Sequence, residues 1–285
     1  MSNMVKFVAF LAIMATGIVL SELACASESV TYGFYAYPPF AIDENGRQSG
    51  YGSDLMTEVL RRAGYSVAVE VLPVARVVSM VQSTANLFTT GTKTPETFAT
   101  WDVQWPFCFE TVSHVMMVKK SSAFVSFADM PRNARIGVFN SYTLKNYLSE
   151  QGFTNIQVAA ENQQLADMLS RDHIDAWATF ESSALYILNA KNIDAKQLRS
   201  LPVKRFQFCA ITAKTTDHAM VARVTAAYNS LVADGGRLAI RNRYATFLGP
   251  DLPAPKFEPS MNNFWLNGQM ASIEESFRQR APIDP

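Results

Sequence analysis

The amino-acid sequence predicts an α/β protein of two lobes, and three observations support this fold class. From Val30 onward, the spacing of apolar residues alternates between the period of a strand and that of a helix. Strands separated by helices of this length form mostly parallel sheets from βαβ units. The alternation occurs in two similar series joined by extended segments. This indicates two lobes, with the chain returning to the first lobe near its C-terminal end. The cleft between them is the expected ligand site.

The first series contains three strands and two helices. In order, these are a strand over 30–37, a helix starting at about Ser53 and ending at Gly64, a strand over 67–71, a helix opened by Pro73 and a strand over 86–90. Serine suits an N-cap, proline suits the first helical turn and glycine suits the residue after a helix. The residue types at the boundaries therefore agree with the apolar spacing inside each element.

The second series follows an extended stretch over 107–118. It comprises a strand over 135–139, a helix over 143–151, a strand over 156–159, a helix carrying Leu165 and Leu169, a strand over 174–178, a helix from about Ser182, a strand over 206–213, and two C-terminal helices, the first capped by Asp217. The expected domain boundaries are 27–112 with 208–285 for lobe 1, and 113–207 for lobe 2.

Residues 1–26 have the pattern of a secretory signal peptide. Lys6 precedes an apolar run over 7–20, and Ala24 and Ala26 fit cleavage before Ser27. The run is shorter than the roughly 20 residues of a membrane span. A retained N-terminal anchor is the alternative, and lipidation at Cys25 is a weaker one because Glu22 occupies a position that favours leucine.

Charge and motifs exclude several classes of function. Lys plus Arg and Asp plus Glu both number 25, so the net charge is zero and the basic footprint of nucleic-acid binding is missing from the sequence. The three histidines are isolated, without metal-ligand spacing. The sequence contains neither a glycine-rich phosphate loop nor a nucleophile elbow. We therefore expect no cofactor, no metal and no catalytic constellation of a known kind.

Cys108 and Cys209 are the cysteines that remain after removal of the leader. In an oxidising compartment they are candidates for a disulfide bond. Two buried free thiols are the alternative, because the sequence does not give the Cα separation, which is usually about 4.4 to 6.8 Å in a disulfide.

Several short segments together resemble the family 3 solute-binding proteins, the periplasmic binding proteins of polar amino-acid uptake. In order, the segments are Tyr37-Pro-Pro-Phe40, Asn45-Gly46, residues 50–55, residues 72–76, residues 92–96, Trp105-Pro106-Phe107, residues 171–176 and residues 231–235. The resemblance spans about residues 32–248. It implies the type II periplasmic binding protein fold, in which two lobes, each a mostly parallel sheet flanked by helices, are joined by two hinge crossovers.

The resemblance also implies ligand-binding residues. In the family an aromatic residue of the first segment stacks on the ligand, and here that residue is Tyr37, supported by Phe40. Hydroxyl groups after the third strand bind ligand oxygens in the family, which here implies Thr90 and Thr92. Core packing is the alternative for the two aromatic residues. Ordinary strand preference is the alternative for the two threonines.

Two departures from the family pattern alter the expected ligand. Thr97 stands where amino-acid binders have the arginine that pairs with the ligand carboxylate, and Phe180 stands where they have the aspartate that accepts from the amino group. Threonine cannot form a bidentate, charge-assisted pair. The ligand is therefore expected to be a small polar solute, amino-acid-like or related, that cannot be named from the family.

Other residues are candidates for the missing contacts. Arg76 could supply a cation, and a solvated helix residue is its alternative. Glu181 could accept from an amine, or favour the N-terminus of the following helix through its charge. Ser141, Tyr142 and Thr143 lie where a helix start could receive an anion, with N-capping as the alternative.

The resemblance implies a monomeric binding protein of the periplasm that is not an enzyme. Its expected partner is an inner-membrane permease of an ABC-type importer, or a sensor. The alternative is a periplasmic enzyme on the same fold, a dehydratase or lyase, with Glu181 as the cleft carboxylate.

Overall fold

The computed structural model describes residues 28–94, 97, 100–139, 142–249 and 251. The predicted signal peptide, residues 1–26, and the candidate Ser141 lie outside the described residues, as do the side chains of Tyr142 and Thr143. None of the helices within the described ranges is both long enough and apolar enough to cross a bilayer.

Eleven strands occur in the described part of the chain. They are β1 Ser29–Phe34, β2 Ile42–Glu44, β3 Arg47–Ser49, β4 Ser66–Val71, β5 Leu87–Lys93, β6 Val103–Gln104, β7 Cys108–Lys119, β8 Ile136–Phe139, β9 Ile156–Ala159, β10 Ala176–Phe180 and β11 Leu198–Ala213. Strands β2 and β3 form a small hairpin, and the other nine form one sheet in the order β4-β1-β5-β11-β7-β10-β8-β9, with β6 paired to β11.

Eight α-helices flank this sheet within the described residues. They are α1 Tyr51–Arg62, α2 Val74–Ser83, α3 Tyr142–Glu150, α4 Asn162–Ser170, α5 Glu181–Ala190, α6 His218–Ala233, α7 Gly236–Asn242 and α8 Ala245–Leu248. Helices α1, α2, α6 and α7 belong with strands β1, β4 and β5, which we call the first half. Helices α3, α4 and α5 belong with β8, β9 and β10, which we call the second half.

The two halves are both parallel sheets, and antiparallel strands join them. In the first half β1 is parallel to β4 and β5, and in the second half β8 is parallel to β9 and β10. Strands β7 and β11 run antiparallel to each other between the halves, and β11 also pairs with β5 while β7 pairs with β10. Cys108 and Cys209 are partners in this central pair and are joined by a disulfide bond of 2.03 Å.

Helix α1 shows why the apolar spacing predicts a packed face. Leu55, Met56, Val59 and Leu60 are fully buried in the largest core cluster, against β1. Burying an aliphatic side chain of this size contributes about 1.5 to 3 kcal/mol, so this face alone is a substantial part of the stabilisation of the first half.

The prediction that Ser53 caps α1 is wrong. The helix begins at Tyr51, the N-cap is Gly50, and Ser53 is a buried residue inside the helix. Gly50 has a φ of 115°, and a Cβ there would lie 2.6 Å from the carbonyl oxygen of Phe40. Close approach of the loop carrying Phe40 therefore requires glycine, and it displaces the helix start from the serine.

Asp217, in contrast, caps α6 as predicted. Its carboxylate accepts hydrogen bonds from the backbone N–H groups of Ala219 and Met220. The last strand is longer than predicted: β11 begins at Leu198 rather than at residue 206, because its first part pairs along β7. This extension carries β11 through both halves of the sheet.

Candidate ligand-binding cleft

A cavity of about 30 Å³ lies at the carboxyl ends of strands from both halves. The residues that line it are Tyr35, Tyr37, Thr92, His114, Val138, Phe139, Leu144, Ala178, Phe180 and Phe208. The carboxyl edge of parallel strands is where open α/β sheets collect ligands. A cavity of this volume holds at most a few water molecules, so we call the described structure a closed form of the cleft.

Tyr37 connects the two halves across this cavity. Its hydroxyl oxygen lies 3.2 Å from the hydroxyl oxygen of Thr179 in β10. The Asn162 amide in α4 donates to the same Thr179 oxygen over 3.2 Å, and the indole N–H of Trp177 donates to Asn162 over 2.9 Å. Burial raises the pKa of Tyr37, so the hydroxyl is neutral. A chain of polar groups thus ties the first half to the buried interior of the second.

Tyr37, Phe139, Phe180 and Phe208 line the cavity with their rings. Together with Phe40, which packs against Phe208, we call them the aromatic cluster. The ring centre of Tyr37 is 5.5 Å from that of Phe139 and 5.0 Å from that of Phe180, both edge-on. Phe40 is 4.6 Å from Phe208. Edge-to-face rings at these separations attract one another beyond the effect of burial alone. The cluster therefore holds the closed cleft together.

Two of the predicted residues line a neighbouring void that shares Tyr35, Tyr37 and Phe208 with the cavity. Phe40 is 1% exposed and lines a smaller void of about 10 Å³ together with Thr90. The hydroxyl of Thr90 lies 3.3 Å from that of Tyr32. In this closed form Phe40 and Thr90 support Tyr37, while Tyr37 and Thr92 reach the cavity itself.

Phe180 and Thr97 show what occupies the two positions that depart from the family pattern. Phe180, the last residue of β10, stands between Tyr37 and His114, whose ring stacks on it at 4.5 Å. Thr97 is 2% exposed, and its hydroxyl accepts from the N–H of Thr94 over 2.9 Å. The N–H of Thr97 in turn donates to the hydroxyl of Thr94 over 3.1 Å. Phe180 therefore forms part of the cavity wall, and Thr97 stabilises a turn.

Arg76 and Glu181 are not among the described residues that line the cavity. Arg76 is exposed on α2, and its Nε lies 3.5 Å from the sulfur of Met80. Glu181 begins α5, and its carboxylate accepts from the hydroxyl of Ser200 over 2.6 Å. The place of Glu181 fits a carboxylate at the positive end of a helix dipole. Tyr142 and Thr143 begin α3, whose Leu144 reaches the cavity.

His114, Phe139 and Phe208 are cavity residues that were not predicted from the sequence. Phe139 could have been found, because it ends β8 as Phe180 ends β10, and such residues meet at the same edge of a sheet. His114 and Phe208 lie inside long strands, and only the pairing of β7 with β11 brings them to the cleft.

Two titratable residues are partners in neighbouring strands here: His114, which lines the cavity, and Lys204, which is paired with it. Burial, with a smaller contribution from the charge of Lys204, lowers the pKa of His114 to about 3. Burial lowers the pKa of Lys204 to about 8. At neutral pH the imidazole is therefore uncharged and Lys204 is largely protonated. Within the described residues, no group of three His, Cys, Asp or Glu side chains is arranged to hold a metal ion.

Comparisons with known proteins identify relatives of the chain. Residues 30–247 match the model of the bacterial extracellular solute-binding proteins, family 3. No curated protein sequence matches the chain.

Solved structures show the same fold. A histidine kinase sensor domain with similarity to periplasmic binding proteins has a TM-score of 0.70 at 17% identity, over 79% of this chain and 98% of that one. The arginine-, lysine-, histidine-binding protein ArtJ from Geobacillus stearothermophilus has a TM-score of 0.67 at 19% identity, over 79% and 97%. The ancestral amino-acid-binding protein AncCDT-1, a precursor of cyclohexadienyl dehydratase, has a TM-score of 0.63 at 19% identity, over 76% and 94%. The predicted α/β, type II periplasmic binding protein fold is confirmed.

Proposed function

The chain belongs to the bacterial extracellular solute-binding proteins of family 3, and from this membership we propose that it is a periplasmic receptor that captures a small solute between two lobes. Lobe 1 comprises residues 27–112 and 208–285, and lobe 2 comprises residues 113–207. Residues 1–26 direct export and are removed. The protein acts as a monomer without a cofactor and releases the solute unchanged.

The observation that carries this proposal is that one cavity is lined from both halves of the sheet. Tyr37 and Thr92 come from the first half, whereas Phe139 and Phe180 come from the second. A solute in this position contacts both halves only when they are together. Its binding free energy therefore favours the closed form, which is the thermodynamic requirement for a solute to drive closure.

The solute differs from an ordinary α-amino acid. The two positions that would clamp its carboxylate and amino group hold Thr97, engaged in a turn, and Phe180, engaged with aromatic rings. The hydroxyls of Tyr37 and Thr92 remain as polar contacts at a largely aromatic cavity. Such walls suit a small solute with both a polar end and an apolar body.

A membrane partner recognises the closed form of the protein. An ABC-type permease of the inner membrane is the partner we propose, and a membrane sensor is the second possibility. The similarity to a histidine kinase sensor domain is a likeness of fold, and it is compatible with either partner. In both cases, the solute increases the fraction of the protein that presents the closed arrangement of its lobes.

A catalytic function is a weaker candidate. One structural neighbour is the precursor of a dehydratase, and Glu181 is the carboxylate that such a function would require. Glu181 is instead bonded to Ser200 and is outside the set of described residues that line the cavity. The surroundings of Glu181 therefore support a structural role better than proton transfer.

A thermal-shift screen tests the proposal. The protein comprising residues 27–285 is melted with amino acids, amines, organic acids, nucleosides and short peptides, and a ligand at 100 times its Kd should add about 2.7 kcal/mol to the free energy of unfolding. Any stabilising compound is then recovered and checked for conversion. We expect at least one compound to stabilise the protein and to be recovered intact.

Variants separate the cleft from the rest of the surface. Thr92→Val should weaken binding about 3- to 10-fold, since it removes one hydroxyl from the cavity. Thr154→Val is the matched control, because its hydroxyl is bonded at the exposed surface to the carbonyl of Arg132. Small-angle scattering should show a more compact protein with the solute. Conversion of the compound, or equal compactness with and without it, would refute the proposal.

A further inference from the structure

Lys204 lies beside the cavity, on the strand that crosses between the two halves. It is the direct partner of His114 in the antiparallel register of β11 and β7. Directly opposed residues in such a pair point to the same face of the sheet. The ring of His114 lines the cavity, and the charge of Lys204 contributes to the low pKa of that ring. Lys204 is therefore a neighbour of the cavity wall.

Alternation along β11 gives the same result. Residues 204, 206 and 208 are two apart, so their side chains share one face. Phe208 lines the cavity. Phe206 packs edge-on against His114, with ring centres 5.0 Å apart, and the ammonium of Lys204 lies 5.5 Å from the centre of the Phe206 ring. Phe208, Phe206 and Lys204 therefore lie along one face of β11, which connects the cavity with the lysine.

The charges around the cavity favour one sign of solute. None of the described residues that line it is acidic. His114 is neutral because burial lowers its pKa. Lys204 is partly removed from water, which strengthens its attraction to an anion relative to a fully solvated lysine. An ammonium group in this cleft would face a cation, whereas a carboxylate would face an opposite charge.

We propose that the solute is an organic anion with a flat or branched apolar body, and that Lys204 supplies the positive charge that binds its carboxylate. The proposal rests on the proposed function and names the solute class of the same cleft. The aromatic cluster receives the apolar body, and the hydroxyls of Tyr37 and Thr92 complete the polar contacts. The described cavity of about 30 Å³ is too small to hold such a solute, so the two halves lie further apart around a bound solute than they do in this structure.

Three probes that share a phenyl ring and a short chain test the charge. 3-Phenylpropanoate carries only a carboxylate, L-phenylalanine carries both charges and phenethylamine carries only an ammonium. Calorimetric Kd values are measured with the protein comprising residues 27–285. We expect 3-phenylpropanoate to bind more tightly than both other probes, and its methyl ester to lose about 10- to 100-fold, the value of a hydrogen bond between charged groups.

Variants test the assignment to Lys204. Lys204→Met should weaken binding of 3-phenylpropanoate about 10- to 100-fold and leave the ester unchanged, while Lys204→Arg should retain most of the affinity. Lys196→Met is the matched control, because Lys196 is exposed outside the cleft. Tighter binding of phenethylamine or phenylalanine would overturn the proposal. An affinity for 3-phenylpropanoate that is equal in Lys204→Met and Lys196→Met would overturn it too.

Failure of this proposal differs from failure of the proposed function. If the broad screen finds a stabilising compound without an anionic group, the chain is a binding protein and the anion proposal is wrong. If the screen finds a different anion, the Lys204→Met comparison with that anion decides. If no compound stabilises the protein, the proposed function itself fails.

Discussion

The hydroxyl groups of Tyr37 and Thr179 lie 3.2 Å apart although 142 residues separate them in the chain. Tyr37 follows the first strand of the first half, and Thr179 lies in β10 of the second half. This contact, together with the aromatic cluster, stabilises the closed form of the cleft.

We expect Tyr37→Phe to lower the free energy of unfolding by about 1 kcal/mol, because it removes one buried hydrogen bond while keeping the ring. Chemical denaturation with urea measures the change. A cycle with Thr179→Val should give a coupling energy of about 1 kcal/mol between the two positions.

The control for this prediction is Tyr35→Phe. Tyr35 lines the same cavity, and no hydrogen bond of its hydroxyl is seen within the described residues. This variant should change the free energy of unfolding by less than about 0.5 kcal/mol. Additive effects of Tyr37→Phe and Thr179→Val would contradict a direct contact between the two hydroxyls.

Acid should destabilise the protein through His114. The unfolded imidazole has its ordinary pKa of 6.5, whereas burial lowers the pKa in the folded protein to about 3. The unfolded chain therefore binds the additional proton as pH falls from 6.5 towards 3, and stability is lost in that window. From pH 7.5 to pH 4.5 the loss from this one group should be about 2 to 3 kcal/mol.

The variant His114→Phe should lose that component of the pH dependence. Denaturation curves at the two pH values give the difference directly, and His218→Phe, at an exposed histidine, is the control. An equal loss of stability in the wild type and in His114→Phe would show that the pKa of His114 is the same in the folded and unfolded protein.

The disulfide between Cys108 and Cys209 should leave no reactive thiol in the protein comprising residues 27–285. Thiol titration in denaturant without reductant should detect none, and two should react after reduction. Because 101 residues separate the cysteines, the replacement of both by alanine should cost about 3 to 5 kcal/mol. Two thiols before reduction would refute the bond.

Glu110 and Arg241 form a buried ion pair, with both side chains 3% exposed and an oxygen-to-nitrogen distance of 2.7 Å. Glu110→Gln should destabilise the protein by about 3 kcal/mol, because Arg241 would keep a buried charge with weaker compensation. Arg61→Gln, at an exposed pair with Glu58, should leave the denaturation midpoint unchanged. A small effect at Glu110 would mean that water or Asp251 compensates the arginine.

Local patterns in the sequence predicted most of the elements of the fold. The strand over 156–159 has the predicted bounds, and Asp217 caps α6 as expected. The error at Ser53 has a non-local cause: the loop carrying Phe40 packs on Gly50, and this contact sets the start of α1. The pattern of residues within one segment does not predict a contact with another segment.

The candidate site was only partly predictable, for the same reason. Tyr37 and Thr92 come from short segments that resemble a family, and both reach the cavity. His114 and Lys204 become neighbours only through the register of β7 and β11, whose residues are 90 positions apart at this point. Pairing between distant strands depends on the whole sheet, so these two residues give no local signal.

The central pair of strands also has a mechanical consequence. Register shifts interrupt the pairing of β11 with β7 between Pro202 and Lys204 and between Phe208 and Cys209. Such irregularities let a strand bend, while the disulfide at Cys209 clamps one end of the segment. We expect residues 203–208 of β11 to act as an elastic hinge between the two halves. This segment carries Lys204 and Phe208. A bound solute would therefore contact the hinge itself as well as the two halves that the hinge connects.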